Sequence, residues 1–137
     1  MQKIIKKLRV IIVSMPGTWQ KLLLNNLEVH PAVGSVAVAN GSLSAMQLAE
    51  EYNPDMVLID SSIPTEEALA FIKNIKRFNQ QTKCIVLTDT TRQGRRITLA
   101  GADHTLPSYN FTSKIGDILN SYQVYHDTTN NTGMMIS

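Results

Sequence analysis

Asp55-Met56-Val57-Leu58-Ile59-Asp60-Ser61-Ser62-Ile63-Pro64 reads as a short apolar strand closed by an acid and a turn. Its apolar residues run without alternation, the pattern of a parallel strand buried on both faces. Open α/β sheets bind ligands outside the carboxyl ends of their strands, so a carboxylate closing such a strand is set at the rim where chemistry is done. Asp60 is therefore the first candidate functional residue, and the reading of the site turns on its neighbours.

Working outward, short β-branched runs alternate with stretches of helical period, which predicts βα units on a parallel sheet. The strands are placed at Leu8–Ser14, Ser35–Ala39, Met56–Asp60, Lys83–Thr88 and His104–Leu106. The first helix is predicted over Thr18–Glu28, with Trp19, Leu22, Leu23 and Leu27 on one inward stripe and His30-Pro31 ending it. The second, Leu43–Tyr52, follows Ser42 as N-cap and presents Leu43, Met46, Leu48 and Ala49 inward, stopping before Pro54. The third, Thr65–Phe78, turns Leu69, Ile72 and Ile75 inward and has Glu66 and Glu67 in its first turn, where the helix dipole favours them. A short fourth, Arg92–Ala100, is closed by Gly101, and a fifth, Thr112–Tyr122, has Phe111, Ile115, Ile118, Leu119 and Tyr122 at helical spacing.

The 137 residues suffice for one domain with a core and not for two. Residues 1–124 are expected to form it, and the polar string after Tyr125 is expected to be a disordered tail over 125–137. With 43% hydrophobic and 18% charged residues the composition is that of a globular chain, and its longest apolar run is far too short to span a bilayer. The opening residues, faintly similar to a signal peptide, are interrupted by Arg9 and by Pro16-Gly17 and read as a frayed lead-in to a strand. Cys84 is the single cysteine and sits in an apolar run, so it reads as a buried thiol in a reduced, cytoplasmic protein. A net charge of +2 does not point to nucleic acid. His30, His104 and His126 lack ligand spacing, no Gly-rich phosphate loop ends in Lys-Ser or Lys-Thr, and no hydrolase triad is ordered along the chain. No enzymatic activity is expected, and no catalytic residue is assigned.

Five βα units with Asp60 at the tip of the third strand, Thr88 ending the fourth in Leu87-Thr88-Asp89, and Gly101-Ala102-Asp103 leading into the fifth resemble the receiver domain of two-component response regulators. The resemblance spans about Arg9 to Tyr122. It implies a flavodoxin-like (CheY-like) doubly wound sheet of five parallel strands, order 2-1-3-4-5, with helices on both faces. It also implies that Asp60 is the phosphoacceptor for a histidine kinase and Thr88 the hydroxyl that follows the phosphoryl oxygen. In that family an acidic pair after the first strand holds Mg²⁺, and a Lys after the fifth braces the phosphate. Here those places hold Ser14-Met15 and Ser108, Thr105 stands where an aromatic swings on activation, and Tyr109 stands where a Pro follows the Lys.

Mg²⁺ wants carboxylates and gives up water reluctantly, so only weak metal binding at Asp60 is expected and no cofactor is assigned. Phosphoryl transfer relies on positioning and on positive charge at the equatorial oxygens, both depleted here. The expectation is a pseudo-receiver acting through protein contact, with Ser14, Met15, Ser62, Thr88, Thr105 and Ser108 lining the site. Ser14 and Ser108 are candidates to hydrogen-bond Asp60 in place of the missing charges. The alternatives are a conventional receiver weakly phosphorylated at Asp60 and, from the loop Ser14–Trp19, a flavodoxin-like small-ligand binder. Partners implied by the resemblance are a histidine kinase, another regulator or a second copy of the chain, with no direct nucleic acid and no membrane. Arg92, Arg95, Arg96, Tyr109 and Lys114 are the interface candidates on the fourth helix, fifth strand and fifth helix.

Overall fold

The computed structural model describes residues 3–122 and 124–127. Five parallel strands make the main sheet: β2 (Leu8–Val13), β3 (Val33–Ala39), β4 (Met56–Ile59), β5 (Lys83–Thr88) and β6 (His104–Pro107). They lie in the order β3-β2-β4-β5-β6, which counted from the sheet's own first strand is 2-1-3-4-5. Val10 to Val13 pair with Met56 to Ile59, and Met56 to Ile59 pair with Lys83 to Val86, so the three most apolar strands sit together in the middle.

Their unbroken hydrophobicity has a direct cause, because each strand feeds two cores. Val10, Ile12, Met56, Leu58, Ile85 and Leu87 face Leu23 and Leu27 of α1 (Thr18–Glu28) and Phe111, Ile115 and Leu119 of α5 (Phe111–Ser121). Ile11, Val13, Val57, Ile59, Cys84 and Val86 face Ala45 and Ala49 of α2 (Ser42–Tyr52), Phe71, Ile72 and Ile75 of α3 (Thr65–Phe78), and Ile97 of α4 (Thr91–Leu99).

Several expectations are corrected. α4 begins one residue early and ends one residue early, at Leu99, and the Thr90 hydroxyl caps its start by accepting from the Gln93 amide at 3.1 Å. Gly41, not Ser42, is the N-cap of α2, and the Ser42 amide donates instead to Glu67 Oε2 of α3 at 2.9 Å. Leu43 points to solvent, the buried stripe of α2 running through Ala45 and Ala49, and Leu22 is partly exposed, at 38%. β6 extends to Pro107 and α5 starts at Phe111. The lead-in is a strand of its own, β1 (Lys3–Lys6), pairing antiparallel with β7 (Val124–Asp127) outside the main sheet. Residues 125–127, placed in the polar tail by sequence, thus lie in β7, and the rest of that tail falls outside the described residues.

At the end of the sheet opposite Asp60, charge does the fastening. Asp55 accepts from the Arg9 amide at 2.8 Å and pairs with Lys6 at 3.3 Å. Asp103 Oδ2 takes the Cys84 amide at 2.8 Å and Lys76 Nζ at 2.6 Å, while the same ammonium donates to the Thr82 carbonyl at 2.7 Å. This cluster ties the end of α3 to the start of β5 and the approach to β6. Asp103→Ala leaves an amide and an ammonium without their shared acceptor and is expected to lower stability by about 2 kcal/mol in chemical denaturation.

Burial pushes the Cys84 thiol up from 9.0 to about 12, with Lys76 lowering it and Asp103 raising it by lesser amounts. Above pH 9.0 the unfolded chain sheds a proton that the native chain keeps, so this group's contribution falls with rising pH until about 12. Unfolding free energy measured across that window should fall more steeply for the native chain than for Cys84→Ala, by up to about 1.4 kcal/mol per pH unit. Parallel profiles would show that the thiol does not titrate differently in the two states.

Candidate functional site

Because β4 is the middle strand, Asp60 emerges where the loops after β2, β4 and β5 converge. Its backbone amide continues the β2 pairing by donating to the Val13 carbonyl at 2.9 Å. The side chain is 2% exposed, a depth at which a carboxylate needs compensating partners. Both oxygens have one. The Ser14 hydroxyl is 3.0 Å from Oδ2 and the Trp19 indole Nε1 is 2.6 Å from Oδ1. Ser14 Oγ also lies 3.2 Å from the Met15 carbonyl, and its one proton goes to the nearer, charged acceptor.

Its spacing sets Trp19 on the core stripe of α1, and the ring does pack there, edge-on to the buried Phe111 at 6.3 Å between centroids. Its N–H reaches past the core to the rim. Sequence reasoning misses that role, although a signal exists: an indole N–H brought into a half-buried position needs an acceptor. Gln20, also missed, donates from Nε2 to the Ser14 carbonyl at 2.8 Å and to Asn40 Oδ1 at 2.9 Å, binding the first turn of α1 to the ends of β2 and β3.

The remaining site-lining residues divide into two groups. Ser62 accepts from the Met15 amide at 3.0 Å and so joins the β4 loop to the β2 loop, while the Met15 side chain is half exposed. Ser108 does not reach Asp60. Its hydroxyl lies 3.3 Å from Ser61 Oγ and 3.4 Å from both the Thr88 carbonyl and Asp89 Oδ1. Thr88 is buried, and it and Thr105 face α4: a Cβ built on Gly94 would lie 3.6 Å from Thr105 Oγ1 and 3.9 Å from Thr88 Oγ1.

These donors do not fit Mg²⁺. An indole N–H has no lone pair to offer, a neutral serine hydroxyl lacks the charge of the carboxylates that bind Mg²⁺, and a thioether is a poor partner for a hard cation. Among the described residues no three His, Cys, Asp or Glu side chains are grouped as metal ligands.

Of the interface candidates, Arg95 and Tyr109 line a cavity of about 660 Å³ between α4 and β6, together with Thr88, Thr98, Leu99 and Thr105. Arg96 is engaged by Glu66 of α3, whereas Arg92 on α4 and Lys114 on α5 are simply exposed.

Comparison with known proteins agrees with this architecture. The family model described as the response regulator receiver domain matches residues 10–107. Among curated relatives, a protein-glutamate methylesterase/protein-glutamine glutaminase of Alkalilimnicola ehrlichii is 28% identical over 116 residues, covering 82% of this chain and 29% of that protein. One from Carboxydothermus hydrogenoformans is 32% identical over 88 residues, covering 64% of this chain and 25% of the relative. The chain therefore spans under a third of the length of these relatives. Among solved structures, a CheY-like response regulator receiver domain from Methylobacillus flagellatus superposes with a TM-score of 0.73 at 17% identity, covering 85% of this chain and 99% of that one. A DNA-binding response regulator of the LuxR family from Staphylococcus aureus gives 0.73 at 21%, covering 84% and 98%. At such identities the likeness is one of fold. Among the described residues no helix is long and apolar enough to cross a membrane. With a family model running from β2 to the end of β6 over a sheet wound in the same order, this chain belongs to the response regulator receiver domain family of two-component signalling.

Proposed function

We propose that this receiver is a pseudo-receiver: a cytoplasmic signalling domain that works through contact with another protein, with Asp60 withdrawn from ordinary phosphotransfer and no catalysis of its own. The observation that carries the reading is the pair of neutral donors on the Asp60 carboxylate, Ser14 on one oxygen and Trp19 on the other. Phosphoryl transfer is driven by positioning and by positive charge on the transferring group. The hydroxyl and the indole supply none, and Ser108 stands where the family's ammonium would be. Loss of one preorganised electrostatic stabiliser raises a barrier by about 3 kcal/mol, and here both the metal clamp and the cation are replaced.

The native chain titrated with Mg²⁺ and beryllofluoride should show no saturable change in the backbone amide signals of residues 13–15, 60–63 and 88–89. Saturable shifts at millimolar Mg²⁺ would establish a working phosphoacceptor and remove the pseudo-receiver reading.

The partner surface follows from the cavity between α4 and β6. Tyr109 is 85% and Leu99 89% exposed at its margin, and Arg95 stands beside them with no ion pair among the described residues. A mostly apolar hollow flanked by an aromatic, an aliphatic and a free guanidinium has the composition of an interface centre. Its occupant is a protein: a histidine kinase, another regulator or a second copy of this chain. For the second copy, sedimentation equilibrium should show self-association that Arg95→Glu and Tyr109→Ala each weaken by about tenfold, the scale of an interface anchor. Unchanged association in both variants would place the interface elsewhere.

A further inference from the structure

We propose that Trp19 is a built-in plug of the Asp60 site, a positioning residue whose indole N–H keeps Oδ1 occupied and closes the carboxylate to anything arriving from the rim. The inference rests on the receiver reading of Asp60. It concerns what holds that carboxylate shut rather than whether phosphate chemistry follows once it is open.

Four observations converge on it. The contact is short, 2.6 Å, and the indole N–H can only donate, so Trp19 loses its acceptor when the two part. The chain leaves β2 through Gly17, whose φ of 153° is open to glycine and strained for other residues, and this bend brings position 19 back over the rim within one helical turn. The body of the ring cannot swing freely, because its edge packs on Phe111, which is fully buried at the start of α5. Gln20, the next residue, bolts the same turn to Ser14 and Asn40. An incoming ion or acyl-activating reagent must therefore displace an indole held from two sides, and Ser14 occupies the other oxygen.

The chain's single tryptophan makes this directly readable. In the native protein, the indole N–H resonance should exchange with solvent at least about tenfold more slowly than that of a free indole, as a hydrogen-bonded, half-buried donor does. An unprotected N–H would overturn the proposal without any substitution.

The complementary arm replaces Trp19 by β-benzothienylalanine, which keeps the bicyclic shape and exchanges N–H for sulfur, with Trp19→Phe as the encoded counterpart. Amidation by a water-soluble carbodiimide and a small amine is read at Asp60 by peptide mass spectrometry. Asp103, fixed by Lys76 and the Cys84 amide, is the internal reference. A general loosening would raise labelling at both acids, whereas loss of the plug should raise the ratio of Asp60 to Asp103 by at least about tenfold, the equivalent of one charge-assisted hydrogen bond. An unchanged ratio in the isosteric replacement sinks the plug. That failure is separable from failure of the pseudo-receiver reading, which is judged on the native chain by beryllofluoride alone.

Discussion

A carboxylate buried at the end of the central strand is the constraint around which this molecule is arranged. Parallel strands with helices on both faces leave no room for a solvated side chain except at the rim, and Asp60 sits just inside it. A charge taken out of water must be met by opposite charge or by hydrogen bonds. With no cation bonded to it among the described residues, the protein meets it with two neutral donors, and each draws an element inward. Ser14 does so from the next residue after β2. Trp19 does so from α1, which fixes where that helix must begin and how its first turn lies across the sheet. Gln20 and Ser62 then close the loops on either side.

The two acids that bracket β4 show how environment assigns roles to one side-chain type. Asp55, at the start, takes the Arg9 amide and the Lys6 ammonium. Asp60, at the end, has hydroxyl and indole side-chain partners among the described residues. The same polarity recurs at β5, whose beginning is fastened by the Lys76–Asp103 pair. Hydroxyls dominate beyond its end, where Ser108 approaches Ser61 and Thr88 is buried. Fixed ion pairs therefore lie at the amino ends of the central strands and uncharged donors at the carboxyl ends, the rim where ligands approach in such folds. The arrangement favours a rigid rim over a reactive one.

How much of this is legible follows from the range of each interaction along the chain. The strand Lys83–Thr88 and the helices Thr18–Glu28 and Thr65–Phe78 can be read with their boundaries intact, because hydrophobic period and flanking breakers are local signals. The cap of α2 cannot, because the acceptor for its Ser42 amide, Glu67, lies 25 residues away in another helix. The pairing of β1 with β7 joins opposite ends of the described chain, and no pattern within either segment announces it. Leu43 obeys the helical period and still faces solvent, since the close approach of α2 selects the small Ala45 and Ala49 for its inner face. At the site, Asp60 and Ser14 can be named from their positions at strand ends. Trp19 cannot be separated from core residues, because its ring belongs to the core and only its nitrogen belongs to the site.

That division of one side chain between two environments also determines which surface Asp60 is joined to. On the α4 side the neighbouring groups are small: a Cβ added at Gly94 would meet the Thr105 and Thr88 hydroxyls at ordinary van der Waals distance. On the opposite side, the carboxylate bonds an indole that packs on Phe111, the first residue of α5 and a member of the core formed with α1. The hydrogen bonds of the Asp60 side chain thus lead through Trp19 to the core shared by α1 and α5. A receiver built this way keeps the family's wound sheet and its acid, and ties that acid to the core between α1 and α5.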